Sequence, residues 1–353
     1  MSPMRSLLVA LLLTSLASAQ SFDCKLAQTP RERAVCADTR LSALDSEIAA
    51  AYKSLRAQLS PASAALVQSD QKEWLHWIDL VCPVNGKGSA SDQTRCLQNQ
   101  YFTRAHDLEH VAHIGNAVVF PRTRFLYKPG NVQPTNPVDP GFGFGSLRWP
   151  QIDIRQPNPA YSTWNDAVKA RAAQLAVGFS NANNATFDTA VDPSGVIDAY
   201  YTVEAANDRL IDTTFTDGTY PWGAAHPTAN RTSFLWWLDQ NRELTRNDIF
   251  WEDSGWQQKL VPLAIASLQS NSDLKNDLWK GDQLTKPVQS TVPEPANWTI
   301  TRDALSINFS EYAVGPYFIG MPQAHIPWSQ LTPLLAHGFD PSTLPPPIPK
   351  TNP

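Results

Sequence analysis

The sequence predicts an α+β protein, in which a disulfide-stapled small helical bundle precedes a mostly antiparallel sheet with packed helices. Three observations support this. All four cysteines lie in the first third of the 353-residue chain, beside apolar residues at helical spacing. From Trp149 onward, strand-like segments alternate with helical ones. The range 113–148 between them is rich in proline and glycine, without strong periodicity, and predicts a linker.

The first 19 residues are typical of a secretory signal. A positive region at Arg5 precedes an apolar run over 7–16 that is too short to span a bilayer, and small residues end at Ala19. We expect cleavage near Ala19, a periplasmic or secreted mature protein, and no transmembrane segment after the signal is removed.

The charge of the chain disfavours some partners. The net charge is −5, and losing Arg5 with the signal makes it −6. Nucleic acid is disfavoured, because its recognition requires basic patches. A basic protein partner suits this charge, although mild acidity also serves solubility alone.

The cysteines predict two disulfides, since an even set in an exported protein usually forms a disulfide framework. They are Cys24, Cys36, Cys82 and Cys96. Their spacings are wide and include no CxxC pair, so no metal site is expected, and no cofactor motif is present. Two connectivities remain open: 24–36 with 82–96, or 24–96 with 36–82.

Three helices are predicted in the domain at 20–112. The first covers 39–59, the second begins at Ser60-Pro61 and ends near Cys82, and the third covers 96–111. Because a tight turn joins the first two, they should pack antiparallel.

The second domain, at 149–340, combines strands and helices. Strands are predicted at 151–155, 195–203, 210–216, 231–238, 298–301 and 305–309, and helices at 160–177, 256–268 and 327–335. The proline-rich tail at 341–353 is expected to be loosely attached.

The N-terminal motifs resemble the LprI-type lysozyme-inhibitor N-terminal family. They include Phe22-Asp-Cys24, Leu41-Ser-Ala-Leu-Asp45 and Gln71-Lys-Glu-Trp-Leu75, and they hold all four cysteines in order. This resemblance covers about 22–110 and implies a domain that binds lysozyme.

The C-terminal motifs resemble the extracytoplasmic domain of RsiV-type anti-sigma factors, which bind lysozyme. They are Ala224-Ala-His-Pro227, Asn247-Asp-Ile-Phe250, Tyr312-Ala-Val-Gly-Pro-Tyr-Phe-Ile-Gly320 and Ile326-Pro-Trp-Ser329. This resemblance covers about 146–337. An anti-sigma role itself is disfavoured by the lack of a predicted transmembrane helix.

Four residues are candidate partner contacts: His226, Trp222, Trp251 and Tyr317. Aromatic side chains dominate the energetics of many interfaces. His226 is also a candidate base or metal ligand, but it has no second histidine at ligand spacing, and a structural role in its turn is favoured. No GxSxG, HExxH or P-loop motif is present, so no catalytic residue is assigned.

The sequence therefore predicts a non-enzymatic exported protein that inhibits or senses lysozyme or another peptidoglycan-active enzyme. The first alternative is a peptidoglycan- or glycan-binding module of the cell envelope. The second is a hydrolase that uses His226.

Overall fold

The computed structural model describes residues 21–82, 89–129, 141–177 and 195–348, and it confirms the α+β class. The predicted signal and its cleavage site near Ala19 lie outside these residues. Within them, no helix is both long enough and apolar enough to cross a membrane.

Four helices form the N-terminal region: α1 (Pro30–Ala37), α2 (Thr39–Gln58), α3 (Pro61–Val81) and α4 (Ala90–Glu109). Side-chain caps explain where they begin, since Asp38, Ser60 and Ser89 each accept a backbone N–H of the first turn. The predictions for α2 and α3 are confirmed. Helix α4 begins six residues before the predicted start at Cys96, because Ser89 caps it.

The disulfides follow the local connectivity. Cys24 pairs with Cys36 and Cys82 pairs with Cys96, with Cα–Cα distances of 5.7 Å in both. The first links a short 3-10 turn (Cys24–Leu26) to α1, and the second links the end of α3 to α4. The nested connectivity is thereby excluded.

A seven-stranded sheet forms the centre of the molecule, and its strands follow one another in chain order. They are β1 (Ala112–Ile114), β2 (Ala117–Pro129), β3 (Phe142–Ile152), β4 (Gly195–Ala206), β5 (Leu210–Pro221), β6 (Thr228–Trp237) and β7 (Arg242–Glu243). All neighbours pair antiparallel except β3 and β4, which are parallel. Helix α5 (Pro159–Val177) lies between β3 and β4 in the chain.

The range 113–148, predicted to be a linker with no strong periodicity, is largely strand in the part that the structure describes. Strands β2 and β3 occupy most of it, and Pro121 lies directly opposite Pro150 in their ladder. Because proline has no backbone N–H, both missing hydrogen-bond donors lie at the same pair of facing residues, and the rest of the β2–β3 pairing is not interrupted. The domain boundaries at 20–112 and 149–340 remain predictions.

The helical bundle packs directly on this sheet. Its apolar core includes Val118 and Phe120 of β2 together with residues of all four helices. The Trp77 indole donates a hydrogen bond to the Leu126 carbonyl at 2.7 Å, and the buried Asp70 pairs with Arg122 at 2.8 Å. Helices and sheet thus share one core.

A second layer covers the other end of the sheet. It contains α6 (Arg246–Ile249), α7 (Trp256–Ser270), α8 (Asp282–Thr291) and a three-stranded antiparallel sheet of β8 (Trp298–Ile300), β9 (Ala304–Asn308) and β10 (Gln323–Pro327). The predicted closing helix at 327–335 is instead two 3-10 turns, Trp328–Gln330 and Thr332–Leu334. Pro333, the second residue of the second turn, lacks the N–H that a continuous helix would need.

The prediction of a loose tail is wrong for residues 341–348. The Ile348 N–H donates to the Glu204 carbonyl at 2.7 Å, the Pro345 carbonyl accepts from Arg302 at 2.8 Å, and Leu344 is buried. Residues 349–353 lie outside the described part of the chain.

Candidate partner-binding site

Two sequence motifs that are far apart in the chain meet at one surface. The turn between β5 and β6 brings His226 against Tyr312 and Tyr317 of the loop that follows β9. We call His226, Tyr312, Tyr317 and the neighbouring Phe318 the His226 cluster. Phe318 is 72% exposed, so the cluster presents an apolar ring to solvent.

The imidazole of His226 is held on both sides. Its ring stacks on Tyr317 with centroids 4.0 Å apart, Nδ1 lies 2.8 Å from the Pro227 carbonyl, and Nε2 lies 3.0 Å from the Tyr312 hydroxyl. A carbonyl only accepts, so in the neutral ring Nδ1 carries the proton and Nε2 accepts from Tyr312. Neither nitrogen of the neutral ring is left for a substrate.

The backbone at Tyr312 is unusual. Its φ is +63°, in the left-handed region that a bulky residue rarely adopts. The Trp279 indole donates to the Tyr312 carbonyl at 3.3 Å, and Glu311 accepts the Ala229 N–H at 2.9 Å. These contacts fix the loop to β6 and hold the strained residue, a kind of strain that is often found at functional sites.

The two other candidates make different contacts. The half-buried Trp222 donates its indole N–H to the Phe142 carbonyl at 3.0 Å and packs on Phe144, which ties its turn to β3. Trp251 is exposed and lies beside the bridge between Phe250 and Leu335. Of the four predicted contacts, the structure brings only His226 and Tyr317 into direct contact.

A second candidate surface lies on the helical region. A cleft of about 300 Å³ opens between the N-terminal segment, α2 and α3, and we call it the α2–α3 cleft. Trp74 and Phe22 line it, together with Arg31 and the carboxylates of Glu32 and Asp45. The Thr29 and Gln28 N–H groups donate to Glu32 and lower the pKa of its carboxyl, so this group is ionised at neutral pH.

The disulfide-bonded turn that precedes α1 exposes an apolar side chain. Leu26 is 71% exposed at the end of the 3-10 turn that Cys24 begins. The Cys24–Cys36 disulfide and the capping box of Thr29 and Glu32 hold the turn against α1. Sequence analysis missed Leu26, since burial alone distinguishes it from the other leucines, and it missed Phe318 although the latter follows Tyr317 directly.

Among the described residues, no group of three or more histidine, cysteine or acidic side chains is arranged to hold a metal ion. All four cysteines are in disulfides.

Comparison with known proteins identifies two family segments. Residues 24–108 match the family described as Lysozyme inhibitor LprI, and residues 247–329 match the family described as Protein of unknown function (DUF3298). The resemblance of the N-terminal region is thereby confirmed. The second match lies within the range predicted to resemble the RsiV-type domain, but the RsiV-like assignment itself is not confirmed.

Two solved structures of DUF3298 family proteins are similar to the chain. One, from Bacteroides fragilis NCTC 9343, has 14% identity and a TM-score of 0.44, covering 65% of this chain and 97% of that one. The other, from Pseudomonas aeruginosa PAO1, has 16% identity and a TM-score of 0.44, covering 64% and 96%. No curated protein is significantly similar to the chain in sequence.

Proposed function

We propose that this protein is an exported, non-catalytic binding protein that inhibits or senses lysozyme or another peptidoglycan-active enzyme. The observation that supports this most directly is the match of residues 24–108 to the LprI lysozyme inhibitors. Both disulfides lie in this segment. Because disulfides persist in oxidising compartments, they support a periplasmic or secreted protein released by cleavage near Ala19.

The α2–α3 cleft and Leu26 form the proposed primary contact. The ionised carboxylate of Glu32 suits a basic enzyme surface, and charge complementarity accelerates association. Leu26 supplies an apolar anchor whose backbone is already fixed by the disulfide, so little conformational entropy is lost on binding.

The His226 cluster is the proposed second contact. Phe318 and Tyr312 are exposed on a loop that His226 and Tyr317 hold in place. Trp251 is a separate exposed candidate, whereas Trp222 supports the turn that carries His226. In this proposal, His226 and Tyr317 position the loop.

The geometry gives no support to a hydrolase that uses His226. A general base needs a free acceptor nitrogen within reach of the substrate, and the Nε2 of neutral His226 already accepts from Tyr312. The stacked Tyr317 covers one face of the ring. A structural role for His226 agrees better with these contacts.

Titration of the mature protein against several purified lysozymes tests the proposal. We expect saturable binding, and inhibition of peptidoglycan hydrolysis by at least one of them. Absence of both binding and inhibition with every lysozyme at micromolar protein would refute a lysozyme target. A co-purification from periplasm would then identify any other enzyme partner.

Matched variants assign the contact surface. Leu26→Asp should weaken binding at least about tenfold, as expected for loss of a central apolar anchor, whereas Leu26→Met should bind normally. At the His226 cluster, Phe318→Asp should likewise weaken binding, whereas Phe318→Leu should bind normally. If both Asp variants bind like the parent protein, neither surface is the contact and the assignment is wrong.

A further inference from the structure

We propose that two histidines at the end of α4 bind a divalent transition-metal ion. His106 lies in the last turn of α4, and His110 follows the helix directly as its C-terminal cap. Their rings are close together, with centroids 4.6 Å apart. Both side chains line a cleft of about 260 Å³ where the helical region meets the large sheet. The cleft shares no residue with the two surfaces proposed to contact a lysozyme.

The spacing of His106 and His110 suits chelation. Residues four apart lie on the same face of a helix, and the two histidines of an HExxH metal site have this spacing. A metal about 2.1 Å from one nitrogen of each ring would place the ring centres roughly 4–6 Å apart. The observed separation lies in this range. The two rings are therefore close enough to share one ion without a change in the helix.

The hydrogen bond of His110 leaves one ring nitrogen free for a metal. Its Nδ1 lies 3.0 Å from the His106 carbonyl. A carbonyl only accepts, so in the neutral ring Nδ1 carries the proton and Nε2 keeps its lone pair. Metal-binding histidines usually donate their other N–H in this way, which fixes the ring and its tautomer. The His106 ring makes no hydrogen bond to the described part of the chain, so its unprotonated nitrogen is also free.

Neighbouring aromatic rings restrict both imidazoles. The Phe102 ring is nearly parallel to that of His106, with centroids 6.3 Å apart. The Tyr201 ring lies 6.4 Å from that of His110, again between centroids. Because these contacts limit rotation of the imidazoles, the two side chains lose less freedom when they bind an ion.

The charges around the pair favour a cation. The cleft is lined by two carboxylates, Asp107 and Asp198, and by one guanidinium, Arg148. The C-terminal end of a helix also carries a partial negative charge, and α4 ends here. Imidazole nitrogen suits Cu²⁺, Ni²⁺ and Zn²⁺, whereas Mg²⁺ and Ca²⁺ prefer oxygen ligands. The ligand class is therefore a transition-metal dication, and Cu²⁺ should bind most tightly of the three.

Two protein ligands make this an open site. Within the described ranges, no third histidine, cysteine or acidic side chain is arranged with these two to hold an ion. Water would occupy the remaining coordination positions, as it does in metal sites that keep a position open. The pair is not evident from sequence, since the spacing alone does not show that both rings face one cleft.

Titration of the untagged mature protein with Cu²⁺, followed by electron paramagnetic resonance, tests the proposal. We expect a bound Cu²⁺ whose spectrum shows coupling to nitrogen nuclei. His106→Ala and His110→Ala should each weaken binding at least about tenfold, since even the outer partners of metal ligands contribute that much. His76→Ala, at an exposed position of α3, is the matched control and should bind like the parent protein.

Further variants separate metal binding from helix capping and from other copper sites. His110→Asn keeps a side-chain N–H for capping and should still lose Cu²⁺ as His110→Ala does. The double variant His106→Ala/His110→Ala measures binding elsewhere in the chain, including the N-terminal amine. Helical circular dichroism checks that each variant is folded. Cu²⁺ bound as tightly by the double variant as by the parent protein, or a spectrum without nitrogen coupling, would overturn the site.

Competition identifies the class of ion. Ni²⁺ and Zn²⁺ should displace Cu²⁺ only at higher concentration, and Mg²⁺ and Ca²⁺ should not displace it. Displacement by Mg²⁺ or Ca²⁺ would contradict ligation by the two imidazoles. Lysozyme binding measured with a chelator present is independent of this site, so failure of either proposal leaves the other standing.

Discussion

At the residue scale, Asp212 is the least expected side chain in the molecule. It lies fully buried on β5, where one carboxyl oxygen accepts the Ile300 N–H at 2.6 Å and the other has no hydrogen-bond partner among the described residues. Burial raises the pKa of this carboxyl well above its ordinary range, and the nearby charge of Glu204 raises it further. Asp212 links β5 to β8 at the expense of burying a carboxyl group.

This arrangement predicts how stability changes with pH. A carboxyl with a raised pKa in the folded state binds its proton more tightly there than in the unfolded chain. The free energy of unfolding should therefore fall as the pH rises from about 4, the ordinary carboxyl pKa, toward the raised folded pKa. Asp212→Asn should reduce this fall and stabilise the protein by about 1–3 kcal/mol at pH 7.

Urea unfolding between pH 4 and 8 measures the effect. Asp303→Asn, at an exposed position in the turn after β8, is the matched control and should keep the slope of the parent protein. If Asp212→Asn is destabilised at every pH with an unchanged slope, the pH dependence does not come from the Asp212 carboxyl.

The His226 cluster shows what sequence could indicate at this scale. The motifs around His226 and Tyr317 were both recognisable, and a structural role for His226 was favoured because it had no partner histidine. Their contact was not predictable, since it depends on the path of the chain between β6 and β9. The left-handed backbone at Tyr312 also has no sequence signal, because tyrosine rarely adopts it.

At the element scale, β3 and β4 approach unusually closely. Gly145 pairs with Ile197 in the parallel part of the sheet, and a Cβ atom at Gly145 would lie 2.0 Å from the Ile197 carbonyl oxygen. The clash would be with backbone, which cannot rotate away as a side chain can. Glycine at this position therefore permits the pairing itself.

Gly145→Ala should destabilise the protein by about 1–3 kcal/mol or more, as overpacking does in well-packed interiors. Chemical denaturation followed by tryptophan fluorescence measures the loss. Gly218→Ala is the comparator, because its Cβ would lie 3.1 Å from the Thr228 carbonyl oxygen and should cost less. A Gly145→Ala protein as stable as its parent would show that β3 and β4 separate without cost.

Helices were predicted from sequence more accurately than the central strands. The bounds of α2, α3 and α5 follow from apolar spacing and from caps such as Ser60-Pro61. Strands β2 and β3 were missed because proline and glycine in 113–148 indicated a break. In the structure, Pro121 faces Pro150, and Gly145 allows β3 and β4 to pair closely. Both residue types are therefore compatible with the sheet.

At the scale of the whole molecule, the central observation is that the LprI-like helices do not stand apart from the sheet. Phe120 of β2 is fully buried in the bundle core, and Arg148 of β3 pairs with Asp107 of α4. Ser60, at the start of α3, bonds the buried Asp153 through both its N–H and its hydroxyl. The same junction encloses a cleft that is lined by residues of α4, β3 and β4.

Sequence alone could not predict this junction. The cysteines and the amphipathic spacing identify a helical unit of about the right length, and such units often fold alone when disulfides support them. Nothing in α3 or α4 indicates that part of their apolar surface contacts β2. That information is in the register of β2 against β3, which a single sequence does not reveal.

The shared core predicts that the helical region depends on the sheet for its stability. A fragment of residues 21–112 keeps both disulfides but lacks Val118 and Phe120, so it exposes apolar surface that the intact protein buries. It also removes Arg122 and Arg148, so the ion pairs that Asp70 and Asp107 form with the sheet no longer stabilise the helices. We expect the fragment to unfold at a clearly lower urea concentration than the intact mature protein, when unfolding is measured by the circular dichroism of the helices.

The intact protein should lose its helical and tertiary signals in one transition. Two separate transitions, with the fragment as stable as the first of them, would instead show that the bundle is an independent domain resting on the sheet.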